Sequence, residues 1–125
     1  TAEDNIAIPL QIKGISRSVK SAKIKDITHK LKISQILKQQ VRSLSGGEQQ
    51  LIAIARAAVH SPTLILADEP TANLDPRMAT RIFDMLTLLN EEGMTVVVAT
   101  HDINLLKAHK KRILLLKQSA LIEVH

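Results

Sequence analysis

The stretch Leu64-Ile65-Leu66-Ala67-Asp68-Glu69-Pro70 decides the fold, because an uninterrupted apolar run ends in two adjacent acids. Residues 63–67 form one such run and residues 95–99 form a second, and both contain β-branched residues. Runs of this kind are typical of strands covered on both faces of a parallel sheet. Between them, Asp75 can cap a helix that ends at Gly93. A strand, a helix and a second strand in this order predict a right-handed parallel crossover and an α/β fold.

The chain is predicted to be helical before this unit and to form a hairpin after it. Residues 3–10 predict a short helix or turn that ends at Pro9, and residues 16–37 predict an amphipathic region of one or two helices. Residues 46–60 are apolar on nearly all sides, which predicts a buried helix. Residues 112–124 indicate a terminal β-hairpin, although this pattern is weaker.

The composition is that of one soluble domain. At 125 residues and 45% hydrophobic content, the chain is long enough to bury a core, which must be aliphatic because Phe83 is its one aromatic residue. The chain has no cysteine, which excludes disulfides and thiolate metal sites and fits a reducing compartment. Its apolar runs are far shorter than the roughly 20 residues that a membrane-spanning helix needs, so we expect a soluble polypeptide.

The net charge of +5 is unevenly distributed along the chain. Residues 13–42 contain nine Lys and Arg residues and one acid, Asp26, whereas residues 43–106 contain three Lys and Arg residues and eight acids. The basic segment fits a solvated helix face, because its lysines recur at helical spacing beside an apolar stripe. It also fits a surface for anionic lipid or nucleic acid. Nucleic acid is disfavoured, since no aromatic residues are interleaved to stack on bases.

Polar residues follow both predicted strands at the point where each strand ends. Asp68 and Glu69 follow the first strand, and Thr100-His101-Asp102 follows the second. Ligands in open α/β sheets bind beyond the carboxyl ends of the strands. Any one of these residues could be a cap or a structural histidine, but their joint placement predicts phosphoryl transfer. The first acid can hold Mg²⁺, the second can orient or deprotonate water, and the histidine can sense a γ-phosphate.

The segment Ser45-Gly46-Gly47-Glu48 predicts both a helix cap and an anion site. Its serine and glutamate fit a capping box, in which each side chain bonds the other residue's backbone N–H. Two glycines in the first turn serve no capping need, and each costs about 1 kcal/mol relative to alanine inside a helix. We expect them to clear space for an anion to approach the backbone N–H groups at the positive helix end.

With these motifs, the chain resembles the ATP-binding subunits of ABC transporters over nearly its whole length. Residues 44–50 resemble the family's signature sequence, residues 64–70 its Walker B strand and following glutamate, residues 73–75 its D-loop, and residues 100–102 its switch histidine. Four motifs in the family's order make the resemblance specific. It implies a P-loop NTPase-like ABC nucleotide-binding domain that is partial here: a helical subdomain, then the parallel βαβ unit and a terminal hairpin.

The resemblance implies a role for each motif residue. Asp68 would bind Mg²⁺ through water, Glu69 would be the general base, and His101 would be the γ-phosphate switch. The other motif residues would contact the ATP held by the second subunit of a head-to-tail homodimer, or cross its interface. They are Ser45, Gly46, Gly47, Glu48 and Asp75. The expected cofactors are therefore ATP and Mg²⁺.

The resemblance also implies the organisation of the chain and its surroundings. Residues 1–125 would form one partial ATP-binding domain, with residues 1–59 as a helical subdomain and residues 60–125 as the lobe that carries the Walker B, D-loop and H-loop motifs. The helical subdomain would receive an integral membrane, permease-like subunit of FtsX-like type at the cytoplasmic face of the bacterial inner membrane. Residues 4–10 and 99–106 look most like FtsE-type cell-division ATP-binding proteins, with lipoprotein-releasing and macrolide-export ATPases as alternatives.

Two features depart from the family's pattern. Leu51 follows Gly-Glu-Gln-Gln where the family usually has arginine, which we expect to weaken packing or charge contacts around the signature helix. No stretch matches the Walker A pattern G-x-x-x-x-G-K-[ST], and the family's Q-loop glutamine is also absent. The chain thus resembles the C-terminal half of a nucleotide-binding domain, with the N-terminal P-loop half missing. We expect it to be inactive alone, and poorly soluble because an apolar strand edge is unpaired.

Two further functions share features with this sequence. DNA-repair and chromosome-maintenance ATPases also carry Ser-Gly-Gly-Glu and an Asp-Glu pair. The glutamines at positions 49–50, the transporter-like residues 100–102 and the lack of coiled-coil heptads argue against that class. A non-catalytic remnant, or a half-domain that only binds a partner, is excluded by no residue of the chain and stays open.

Overall fold

The computed structural model describes residues 1–124, so His125, the last residue of the predicted 60–125 lobe, lies outside the described residues. The elements in chain order are α1 (Ala2–Ile12), α2 (Arg17–Lys30), two single-turn 3-10 helices (Ser34–Ile36 and Val41–Ser43), α3 (Gly46–Ala58), β1 (Leu64–Asp68), α4 (Pro76–Glu91), β2 (Thr95–Ala99), α5 (Ile103–His109), β3 (Ile113–Lys117) and β4 (Ala120–Val124).

The predicted βαβ unit is present. Strands β1 and β2 are parallel neighbours, with Leu64 opposite Thr95 and Asp68 opposite Ala99. Helix α4 connects them and begins as its sequence predicts, because the Asp75 side chain accepts a hydrogen bond from the Met78 backbone N–H at 3.0 Å. The helix ends at Glu91, and Gly93 follows with a φ of 95°, a left-handed conformation that favours glycine.

The two-stranded sheet is covered on one face only, so the prediction of strands covered on both faces is wrong for this chain. Ile65 is 6% exposed and lies in the core together with the inner residues of β2. On the opposite face Leu66 is 73% exposed and Val97 is 51% exposed. Successive strand residues point to opposite faces, so Asp68 shares the open face with Leu66. The reason is that the helices of residues 1–124 pack on one side of the sheet.

The helical part is built around α1 and α3, which pack against each other. The prediction that α1 ends at Pro9 is wrong, because the helix continues through Pro9 to Ile12. Its buried face, with Ile6 and Leu10 nearly inaccessible to solvent, packs into the core and compensates for the backbone hydrogen bond that proline cannot donate. Arg56 of α3 also donates a hydrogen bond of 2.7 Å to Oδ1 of Asn5.

Residues 16–37 form one helix and one short turn, within the predicted range of one or two helices. Helix α2 ends at Lys30, and Lys32 follows with a φ of 53°. Two contacts join this end of α2 to α4. Lys30 pairs with Glu92 at 2.8 Å, and Arg81 donates to the Lys32 carbonyl at 3.1 Å. A single core cluster contains residues from both sides of position 59. The division of the chain into a helical subdomain and a lobe at residue 59 stays a prediction.

The terminal hairpin is confirmed. Strands β3 and β4 are antiparallel, and the turn residues Gln118 and Ser119 have φ values of 49° and 62°, as a tight two-residue hairpin turn requires. Arg112 pairs with Glu123 across the strands at 2.9 Å. Most hairpin side chains are exposed on both faces, including Leu116 at 70%. Within residues 1–124 no helix combines the length and the apolar character needed to cross a bilayer.

Candidate functional site

The carboxyl ends of β1 and β2 bring together the polar residues that the sequence placed there. Glu69 follows the last residue of β1, and its backbone N–H donates to the carbonyl of Ala99 at 2.8 Å, which fixes the two strand ends beside each other. Glu69 has a φ of 44°, a left-handed conformation that is uncommon for a residue with a side chain. Such strained conformations cluster at functional sites. The turn that follows aims the Glu69 side chain toward the end of β2.

The central contact of this edge joins Glu69 and His101. Nδ1 of His101 lies 2.7 Å from Oε1 of Glu69, so a protonated Nδ1 donates to the carboxylate. The Thr100 hydroxyl donates a longer hydrogen bond of 3.5 Å to the other carboxylate oxygen. The hydrogen bond to Glu69 and its negative charge, together with the weaker field of Asp102, raise the pKa of His101 above 6.5. The sequence predicted that these residues converge, but not that they bind each other.

Asp68 lies at the end of β1 with an exposed side chain on the open face of the sheet. Its carboxylate accepts no side-chain or turn hydrogen bond from residues 1–124, so both oxygens are available. Within this part of the chain no three His, Asp or Glu side chains form a metal cage. Mg²⁺ usually keeps several waters and takes one or two carboxylates plus phosphate oxygens. Asp68 therefore fits a water-mediated Mg²⁺ ligand, and this role stays a prediction.

The remaining polar residues of the edge have structural roles. Oδ1 of Asp102 accepts hydrogen bonds from the backbone N–H groups of Asn104 and Leu105 at 3.0 and 3.2 Å, which caps α5. The Thr100 hydroxyl accepts from the Asp102 N–H at 3.1 Å. These bonds fix the turn in which His101 lies, with its own side chain 84% exposed. Thr100 and Asp102 thus position His101.

The N-terminus of α3 has the predicted capping box. The Ser45 hydroxyl accepts from the Glu48 N–H at 3.3 Å, and Oε2 of Glu48 accepts from the Ser45 N–H at 2.9 Å and from its hydroxyl at 2.8 Å. The backbone and hydroxyl bonds from Ser45 lower the pKa of Glu48 below 4.5. This carboxylate is therefore already engaged within the chain, and a direct contact between Glu48 and nucleotide stays a prediction.

The two glycines of α3 differ in their surroundings. Nothing lies within 4 Å of a Cβ added to Gly46, so Gly46 does leave open space for a ligand. A Cβ added to Gly47 would lie 2.5 Å from Cγ of Met78. The expectation that both glycines clear space for an anion is therefore wrong for Gly47, because the Met78 side chain of α4 occupies that space. Sequence spacing gave no signal for this contact between separate helices.

Residues of the D-loop lie beside the start of α3. Ser45, Gly46, Gly47, Asn73, Leu74, Asp75 and Met78 line one pocket of about 240 Å³. The D-loop is shaped by Asn73, whose φ is 59°. The predicted nucleotide-binding residues of the signature and the D-loop are therefore adjacent within one chain. Whether Asp75 crosses to a second subunit stays a prediction, and in this chain its carboxylate caps α4.

Leu51 is completely buried, with 0% of its surface exposed. It lies in the core that joins α3 to the other helices. The expectation that leucine at this position weakens packing around the signature helix is not supported by its burial, because a fully buried leucine stabilises the fold by about 2 kcal/mol relative to an exposed one. We infer that the side chain at position 51 anchors α3.

The chain is similar to a known protein family and to proteins within it. A model of the ABC transporter family matches residues 1–72. The lipoprotein-releasing system ATP-binding protein LolD of Hyphomonas neptunium is 44% identical over 123 residues, which are 98% of this chain and 54% of that protein. The cell division ATP-binding protein FtsE of Escherichia coli is 41% identical over 121 residues, covering 97% of this chain and 54% of FtsE. The chain thus spans about half the length of the relatives it matches.

Solved structures agree in fold. An inward-facing structure of a putative metal-chelate type ABC transporter matches with a TM-score of 0.87 and 30% identity over 99% of this chain and 51% of that one. CbiO1 of Clostridium perfringens, part of the ABC transporter complex CbiONQ, matches with a TM-score of 0.89 over 98% of this chain and 49% of that one. At 24% identity, this second match shows the fold alone. The fold is a partial ABC nucleotide-binding domain, and the chain belongs to the ABC transporter family.

Proposed function

We propose that this chain carries one half of the ATP-hydrolysing machinery of an ABC-type membrane complex. The observation that carries the proposal is the contact of 2.7 Å between Glu69 and His101. This pair lies next to Asp68 at the carboxyl edge of the parallel sheet, where α/β folds bind their ligands. The proposal includes ATP as substrate and Mg²⁺ as cofactor.

The chemistry divides between three residues. Glu69 is the general base: its carboxylate accepts the proton of the attacking water, and the bond from His101 fixes the carboxylate's orientation. Asp68 holds Mg²⁺ through water on the open face of the sheet. Mg²⁺ supplies neutralisation of the phosphate charge when bound. His101 is 84% exposed at its side chain, so its Nε2 is accessible to a phosphate oxygen while Nδ1 binds Glu69.

The start of α3 supplies the second element of the proposed site. Ser45, exposed Gly46 and the N-terminal end of the helix form an anion-binding surface, because the first backbone N–H groups of a helix have no acceptor within it. We propose that this surface meets the γ-phosphate of ATP held by a second subunit in a head-to-tail homodimer. Asp75 lies in the same pocket and would contact that subunit.

The proposed complex is of the cell-division type. Residues 4–10 and 99–106 support it by their likeness to FtsE, and the partner would then be an FtsX-like membrane subunit at the cytoplasmic face of the bacterial inner membrane. Lipoprotein release is the second candidate, favoured by the 44% identity to LolD. Co-expression with the membrane subunits of each kind of complex distinguishes them. Co-purification with the lipoprotein-releasing subunits and not with the cell-division subunits would overturn the first assignment.

The test of ATP hydrolysis uses a chimera. The part of E. coli FtsE that precedes its match to this chain is fused to residues 1–125, and the steady-state release of phosphate from ATP is measured. We expect turnover in the chimera. We expect Glu69→Gln to lower the rate of phosphate release at least a hundredfold, because a neutral amide cannot act as the base that accepts a proton from water.

The matched control is Glu91→Gln, which removes the same charge from an exposed residue near the end of α4. We expect its turnover to equal that of the parent chimera. A Glu69→Gln chimera that binds Mg·ATP but hydrolyses it at the parent rate contradicts the assignment of the base. A chimera that binds ATP and never hydrolyses it favours the non-catalytic half-domain.

A further inference from the structure

One surface has no role in the proposed site. We call it the basic flank and define it as Lys13, Lys20 and Lys23 with two exposed apolar neighbours, Ile12 and Val19. Ile12 is 81% exposed and Val19 is 46% exposed, which is unusual for aliphatic residues in the helical part of this fold. The flank covers the end of α1, the connection to α2 and the first turns of α2.

The cations of this region are largely uncompensated. Residues 13–42 contain nine Lys and Arg residues and one acid, Asp26. Asp26 pairs with Lys30, which also binds Glu92, and Lys38 pairs with Glu3. The other seven cations of this segment form no ion pair within residues 1–124. The three lysines of the basic flank are among them, so their charges are available to a partner.

The three lysines lie on two neighbouring elements, α1 and α2. Lys13 is the C-cap residue of α1, and only residues 14–16 separate it from the first residue of α2, which packs against α1. Lys20 precedes Lys23 by three residues and Val19 precedes it by four, which places them on the same face of α2. Two packed elements therefore contribute cations to the flank, and each of them also carries one exposed aliphatic side chain.

The combination of charge and exposed aliphatic groups identifies the kind of partner. An anionic bilayer attracts clustered lysines through its headgroups and accepts a shallow aliphatic side chain between them. Nucleic acid would use aromatic residues to stack on bases, and the flank has none. We propose that the basic flank binds the surface of an anionic phospholipid bilayer through Lys13, Lys20 and Lys23, with Ile12 inserted at the headgroup level. The basic flank shares no residue with the proposed site of ATP hydrolysis.

The test is flotation of the chain with vesicles of stated composition. Vesicles of phosphatidylcholine alone are compared with vesicles in which roughly one lipid in three is phosphatidylglycerol. Both are measured at several salt concentrations. We expect binding to the anionic vesicles that falls steeply between about 0.05 and 0.3 M salt, since lysine–headgroup attraction is screened. Equal binding to both vesicles would show adhesion through the open apolar faces and would overturn the proposal.

Two triple variants of equal charge locate the surface. Lys13→Gln/Lys20→Gln/Lys23→Gln is expected to lower the partition coefficient roughly a hundredfold, at about fivefold per lysine. The control Lys107→Gln/Lys110→Gln/Lys111→Gln removes the same charge near α5. We expect its partition coefficient to fall several-fold less than that of the flank variant. Equal losses in both variants would mean that net charge alone binds, and would overturn the proposal.

Two further measurements make the result independent of these variants. Ile12→Asn should weaken binding several-fold without changing its salt dependence, because it removes the inserted group and no charge. Circular dichroism of every variant is measured at about 25 °C, which is below the unfolding temperatures typical of small domains. It shows whether each variant retains its helices. Competition by duplex DNA at a lower phosphate concentration than that of the vesicles would identify nucleic acid as the partner and reject the bilayer.

Discussion

The side chain of Met78 occupies the space over Gly47 that any larger residue there would need. A Cβ on Gly47 would lie 2.5 Å from Cγ of Met78 and 3.1 Å from its Cε and its sulfur. Gly47 is buried at the start of α3, and Met78 belongs to the first turn of α4. This contact joins the start of α3 to the start of α4. The glycine is therefore needed for close packing between two helices.

Gly47→Ala is expected to destabilise the chain by about 1 to 3 kcal/mol, because Met78 has to move out of a packed position. Gly46→Ala is the matched control. Nothing lies within 4 Å of its Cβ, so the better helix propensity of alanine should leave stability unchanged or raise it by up to about 1 kcal/mol. Urea unfolding followed by circular dichroism measures both. Equal effects of the two substitutions contradict the packing role.

The double variant Gly47→Ala/Met78→Ala separates the clash from other effects of alanine. We expect the double variant to lose less free energy of unfolding than the sum of the two single losses, by about 1 kcal/mol or more. The reason is that truncation of Met78 removes the atoms that the new Cβ meets. Strict additivity of the two substitutions would show that Met78 does not restrict position 47.

Ser45→Ala is expected to cost about 1 kcal/mol, because the capping box at α3 loses its hydroxyl. Ser21→Ala, at an exposed position of α2, is the control and should be neutral. The hydrogen bonds of Ser45 lower the pKa of Glu48 below 4.5, so this contribution is present above that value and is lost as the pH falls through the lowered pKa. Urea unfolding at pH 7 and at lower pH values measures this. A gap between the variants that grows with acidity contradicts the capping role of Glu48.

The pKa of His101 is expected to lie above 6.5 and to return toward 6.5 in Glu69→Gln, because the carboxylate that holds the proton is removed. The pair therefore stabilises the folded chain fully below 6.5, and this contribution is lost as the pH rises through the raised pKa. NMR titration of the histidine ring protons measures both midpoints. His60 is the internal control: its pKa is lowered by burial, and Glu69→Gln should leave it unchanged. An unchanged His101 midpoint in the variant contradicts the contact.

Ile65→Thr and Leu66→Thr form a matched pair that tests the open face of the sheet. Ile65 is 6% exposed, so Ile65→Thr should cost about 2 kcal/mol or more through lost burial and an introduced hydroxyl. Leu66 is 73% exposed, so Leu66→Thr should change stability by less than about 0.5 kcal/mol and raise solubility. Thermal unfolding and sedimentation measure the two properties. A large loss of stability in Leu66→Thr would show that this face is covered in solution.

Local sequence signals predicted much of this fold. Asp75 and Gly93 marked the ends of α4, and continuous apolar runs marked β1 and β2, because caps and hydrophobic patterns act within a few residues. Pro9 was misleading, since packing of α1 against α3 outweighs the local penalty of proline. The open sheet face was also not predictable. An apolar strand pattern indicates that both faces are suited to burial, but it does not show whether residues 1–124 contain elements that cover both.

The candidate site was predicted as a set of residues and not as a set of contacts. Strand polarity places Asp68, Glu69 and His101 at one edge, and the structure confirms that placement. The contact of Glu69 with His101 depends on the φ of 44° at Glu69, and that of Gly47 with Met78 depends on how two helices pack. Neither is a local property, so no motif or spacing signals it. The nucleotide-binding roles of these residues stay predictions.

The central claim is that residues 1–125 carry one half of a two-part ATP site. The most direct measurement compares phosphate release from Mg·ATP by this chain alone with release by the FtsE chimera under the same conditions. We predict no turnover by the chain alone, because it has no Walker A stretch to hold the β- and γ-phosphates, and turnover by the chimera. Turnover by the 125-residue chain alone that is abolished by Glu69→Gln would contradict the claim.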